Sequence, residues 1–88
     1  MTQFTVKKYS LIMLKYVIMS NQPLYWDSAY EIVLTLMELY PHADIEAVSL
    51  EELNRRILNL PNFADDPVLV NDGILKDILR EWYEETGT

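Results

Sequence analysis

Cysteine is absent from the 88-residue sequence, histidine occurs once and glycine only twice. Without cysteine there is no disulfide, no thiolate metal site and no thiol nucleophile. The lone histidine, His42, lies in a Tyr-Pro-His turn with no serine near it in sequence. It reads as a surface-loop residue, because a reactive imidazole needs an orienting partner. Gly73 and Gly87 stand apart, so no glycine-rich loop exists to cradle a phosphate. The chain therefore reads as a binding protein and not as an enzyme.

Positive charge is the other scarcity. The formal net charge is −7, and its distribution says more than its size. Residues 1–20 hold Lys7, Lys8 and Lys15 and no acid. From Asn21 onward fourteen acids face four bases (Arg55, Arg56, Lys76 and Arg80), a net of −10. A domain this acidic is repelled by nucleic-acid phosphates and attracted to basic protein surfaces and hard cations. Half of the residues are hydrophobic, which favours one folded domain with a modest core over a disordered chain.

Residues 1–23 read as a basic, apolar extension ahead of an acidic domain at 24–88. The run Leu11-Ile12-Met13-Leu14 is interrupted by Lys15, and Ser20-Asn21-Gln22-Pro23 makes a poor cleavage site, which argues against a secretory signal. The stretch is too short and too charged to span a membrane. It reads either as a basic amphipathic helix or, by preference, as an upstream stretch before a true start at Met19.

Within the domain, Ser28-Ala29-Tyr30-Glu31 has the form of a capping box and predicts a helix from about residue 28 to Tyr40, where Pro41 stops it. Ala29, Ile32, Leu36, Leu39 and Tyr40 mark its apolar face, widened by Leu34 and Met37. Asp27, Glu31, Thr35 and Glu38 mark a polar one. Ser49-Leu50-Glu51-Glu52 opens a second helix, with a stripe of Leu50, Leu53, Ile57 and Leu58, ended after Leu60 by Pro61. In the connector at 42–48, Ala47-Val48 could supply one short strand. Asn71 caps a third helix between Val70 and Glu84, whose buried face is Ile74, Leu75, Ile78, Leu79 and Trp82, with a fraying tail at 84–88. The expected fold is mostly α, three short helices with at most a minimal strand pair. Trp26 and Trp82 are expected in its core.

Two groups of carboxylates could carry function. Asp27, Glu31 and Glu38 follow one another along the first helix, and Asp65-Asp66-Pro67 forms a turn, with Asp44 and Glu46 in another loop. Oxygen donors of this kind suit ions such as Fe²⁺, Mn²⁺, Mg²⁺ or Ca²⁺, but no EF-hand spacing and no Glu-to-His pairing is present, so a tight metal site is not expected. Phe63, inside the acidic turn, reads as a core anchor, with an exposed docking knob as the alternative.

The order Trp26, Glu31-Ile32, Tyr40-Pro41, Leu60, Phe63-x-Asp65-Asp66-Pro67, Asn71, Ile74-Leu75, Ile78 and Trp82 resembles the IscX family, small acidic accessories of bacterial iron–sulfur cluster assembly. The resemblance covers residues 24–88. It implies a modified winged-helix-like fold, a monomer in the cytoplasm, docking on a cysteine desulfurase whose activity it modulates, and weak binding of ferrous iron, with no tightly bound cofactor. A cluster scaffold or a ferredoxin is a further implied partner. Carried over by position, Glu31, Glu38, Asp65 and Asp66 would meet the partner, and Glu31, Glu38 and Asp44, joined by Asp27 from the spacing along the first helix, would form the weak metal face. The chain departs from the pattern at Leu34, where the family has an acid, at Ile45 in place of proline, and at Asp72 in place of glutamate. An iron carrier is the alternative reading, and a winged-helix nucleic-acid binder is disfavoured by charge.

Overall fold

The computed structural model describes residues 22–86. The readings made of residues 1–21, the Met19 start among them, lie outside the described residues, as do Gly87 and Thr88. Among the described residues three helices form the fold: α1 (Ala29–Leu39), α2 (Leu50–Leu58) and α3 (Asp72–Thr86). Single 3₁₀ turns at Ile45–Ala47 and Pro67–Leu69 punctuate the two longer connections. The mostly α expectation holds. Among the described residues the β pairing is one isolated parallel bridge between Leu24 and Phe63, and Ala47-Val48 forms no strand but ends a 3₁₀ turn.

Helix limits follow the sequence punctuation. Pro41 keeps Tyr40 out of the helical region (ψ 62°), so α1 stops at Leu39. Ser49 Oγ accepts from the Glu52 amide at 3.0 Å, and Asn71 Oδ1 accepts from the Ile74 amide at 2.9 Å, as capping requires. Ser28 departs from the expected box: its side chain makes no capping bond, and only its carbonyl joins α1, through the Ile32 amide. Helix α2 ends two residues short of Leu60, in a turn that leads into Pro61. Residues 84–86 are the last turn of α3, not a frayed tail; the Thr86 hydroxyl donates to the Trp82 carbonyl at 2.9 Å.

Helix α3 is the common element, packed against α1, α2 and the first 3₁₀ turn. Its Leu75, Ile78 and Trp82 enter a core with Ile32, Val33 and Leu36 of α1 and Leu53 and Ile57 of α2. Two expected core residues are instead on the surface: Leu39 is 44% exposed and Leu58 37%. Thr35, expected on the polar face of α1, is buried, its hydroxyl satisfied by the Glu31 carbonyl at 2.9 Å. Residues Ile32 to Leu36 of α1 are all buried, so Leu34 does widen its apolar part.

The chain before α1 is tied to the loop after α2. The Leu24 amide donates to the Asn62 carbonyl at 2.9 Å, the Ala64 amide donates to the Leu24 carbonyl at 2.8 Å, and Asn62 Nδ2 donates to the Gln22 carbonyl at 2.7 Å. Trp26 completes the tie: its backbone N–H donates to Asp65 Oδ2 at 2.9 Å, and its indole Nε1–H donates to the Asp66 carbonyl at 2.9 Å. Phe63 packs edge-on to the Trp26 ring at 4.8 Å between centroids, so it is the anchor and not the knob.

Substituting Trp82 by alanine should cost about 3–5 kcal/mol, comparable with the whole stability of a small domain. Loss of the cooperative thermal transition in circular dichroism is the expected readout. Asp65→Ala should cost about 1–3 kcal/mol, because it orphans the Trp26 amide, whereas Glu51→Ala on the exposed face of α2 should change the midpoint little.

Candidate acidic docking surface

The Trp26 tie decides where the acids sit. Asp65 and Asp66 are held against residue 26, and Asp27 is the next residue along, leading into α1. The acids of the turn and the acid at the start of α1, far apart in sequence, thus form one region. Glu31 follows in the first turn of α1, where a carboxylate also suits the positive end of the helix. Asp27 and Asp66 are exposed, and Glu31 is half-buried.

The members of this group do different work. Asp65 is half-buried and its carboxylate is occupied twice, by the Trp26 amide and by the Asp66 amide at 2.7 Å. Asp66 caps the second 3₁₀ turn, accepting from the Val68 amide at 3.0 Å, but remains exposed. Spacing alone shows the pair of acids; it does not show that the first is consumed by a backbone amide 39 residues away.

Glu38 and Asp44 lie elsewhere. Glu38 is two turns beyond Glu31, about 10 Å along the axis, on the rim of a hollow lined by Met37, Tyr40, Ala43, Ile45 and Trp82. Asp44 is exposed at the start of the first 3₁₀ turn, in a separate hollow with Ser49, Glu52 and Arg56. Leu34, where the family pattern places an acid, is 1% exposed and adds no donor. Among the described residues no three Asp, Glu or His side chains gather closely enough to hold a metal ion. Asp27, Glu31, Glu38 and Asp44 therefore do not fit a resident iron centre. His42 is exposed in its turn.

The bases are mostly spent on their own helices. Arg55 and Arg56 both pair with Glu52, the latter at 2.9 Å, and Arg56 also lies over the Tyr40 ring at 4.6 Å. Arg80 pairs with Asp77 at 3.3 Å. Among the described residues no lysine or arginine forms a salt bridge with Asp27, Glu31, Glu38, Asp65 or Asp66. Of these five, Asp27 and Asp66 are exposed, and Asp65 is engaged by backbone amides.

A second acidic run closes α3. Glu81 is held above the ordinary carboxylate range, first by partial desolvation, then by the charge and hydrogen bond of Glu85 and by the charge of Glu84, with Arg80 opposing. This set escaped the sequence reading, which treated 84–88 as a tail; the i, i+4 step from Glu81 to Glu85 was the available signal.

A family model described as iron–sulphur cluster assembly matches residues 24–87. The chain belongs to the iron–sulphur cluster assembly family. A Pseudomonas aeruginosa protein named only as uncharacterised is 36% identical over 60 residues, covering 68% of this chain and 91% of that relative. The match covers the region of the resemblance read at residues 24–88, and the chain's role lies in iron–sulfur cluster assembly. No helix among the described residues is long and apolar enough to cross a membrane.

The raised Glu81 sets a pH dependence. Its protonated form is favoured by the fold, so its stabilising contribution is complete at low pH and is lost as pH rises through the raised value. Glu81→Gln should raise the melting temperature at pH 7 and leave it unchanged at pH 3, measured by calorimetry; an equal effect at both would contradict the assignment.

Proposed function

We propose that this chain docks on a cysteine desulfurase through its acidic surface and modulates sulfur delivery during iron–sulfur cluster assembly. The observation that carries the reading is the outward-facing charge of Asp27, Glu31 and Asp66, held together by Trp26 and unpaired with any base of the described residues. Family membership supports the pathway; the desulfurase is our choice of partner within it. A surface of one sign gives up solubility balance and gains long-range attraction to a basic partner, accelerating encounter and fixing orientation. The chain works as a cytoplasmic monomer without catalysis. A cluster scaffold or a ferredoxin with a basic face would meet the same acids.

Asp27 and Glu31 are the better residues for a charge test than Asp65, whose substitution breaks the tie to Trp26. A double Asp27→Lys, Glu31→Lys variant should keep the thermal transition of the parent and bind the desulfurase at least about tenfold more weakly near 50 mM salt, where the Debye length exceeds about 10 Å. The parent complex should itself weaken as salt rises. If no complex formed at that ionic strength, the reading would fail.

Ferrous iron, in this account, is cargo at most. Separated carboxylates can supply one or two oxygens each, leaving water to complete an octahedral shell, which gives weak and unselective binding. Anaerobic Fe²⁺ titration followed by amide resonances should give fast-exchange broadening spread over Asp27–Glu31 and Asp65–Asp66. Saturable, stoichiometric loss of signals at one locus would favour an iron carrier instead.

A further inference from the structure

Val68 and Leu69 are 82% and 58% exposed, the two most exposed large aliphatic side chains among the described residues. They sit side by side on the Pro67–Leu69 turn, whereas the next residue, Val70, packs against the core. Isolated exposed aliphatics are ordinary. An adjacent pair on a fixed turn is less so.

The turn is held at every point. Pro67 sets its first dihedral, Asp66 accepts from the Val68 amide at 3.0 Å, and the Leu69 amide donates to the Asp66 carbonyl at 3.1 Å. The same Asp66 carbonyl takes the Trp26 indole N–H. The apolar tip is therefore built on the core through one tryptophan, and little backbone entropy remains to be lost when it is buried by a partner.

The charged residues flanking it along the chain are of one sign. From Ile57 to Leu75 the chain has Asp65, Asp66 and Asp72 and no lysine or arginine. We propose that Val68 and Leu69 form the apolar anchor of the acidic docking surface, entering a shallow apolar pocket that is rimmed by lysine or arginine on the partner protein. The surrounding carboxylates would meet the rim while the two side chains fill the pocket. This division matches interfaces in which a desolvated centre carries the affinity and a charged periphery carries rate and register. The proposal rests on the desulfurase reading and adds to it the place where affinity is concentrated.

The test is calorimetric titration of the cysteine desulfurase with the full chain, a Val68→Ser, Leu69→Ser variant and a Leu69→Met variant, at several salt concentrations. The serine variant should bind about tenfold to a hundredfold more weakly, with the parent's salt dependence and melting temperature, and the methionine variant should bind like the parent. Equal affinity of the parent and the serine variant would overturn the anchor while leaving the acidic surface standing. Absence of any complex with the parent would overturn both.

Discussion

The structure depends on what Trp26 does with its two N–H groups. The backbone amide goes to the Asp65 carboxylate and the indole N–H to the Asp66 carbonyl, each at 2.9 Å. Those bonds, with the Leu24–Phe63 bridge, fasten the entry to α1 to the loop that follows α2. Hydrogen bonds to a charged acceptor contribute more than neutral ones, about 1.5–3 kcal/mol, and here one of them also fixes the loop's course. Without that tie the acids of the turn and those of α1 would belong to separate surfaces. With it they are one.

The arrangement separates structural acids from displayed ones. Asp65 is consumed internally, Glu52 neutralises two arginines and Asp77 takes Arg80. Asp27, Glu31 and Asp66 keep their charge toward solvent. The charges lie in one region of the fold, while among the described residues no three Asp, Glu or His side chains gather closely enough to hold a metal ion. Such a surface suits a protein partner better than a metal, which is why iron enters this account as cargo.

Much of the fold was legible because its signals are local. Pro41, the Ser49 and Asn71 caps, and the Leu75–Ile78–Trp82 spacing each act within a turn or two of their own position, and each marked its helix correctly. The misreadings share a tertiary cause. Leu39 and Leu58 have core-like spacing but sit at helix ends, where the neighbouring helix no longer covers them. Thr35 is polar by type and buried because its hydroxyl returns to its own helix. Ser28 has the sequence of a cap without its bond. Of the candidate site, the acidic character and the anchor role of Phe63 were readable. The capture of Asp65 by Trp26 was not, because a contact across 39 residues leaves no mark in spacing. The exposure of Val68 and Leu69 is likewise set by how the turn is mounted and not by its composition.

The claim that one tied acidic region does the docking is tested most directly by mapping amide shifts of the labelled chain as unlabelled cysteine desulfurase is added. The account predicts that broadening and shifts concentrate at Trp26–Glu31 and Asp65–Leu69 together, at the same partner concentration. Shifts centred on α2 with those two segments silent, or confined to one of the two, would contradict it.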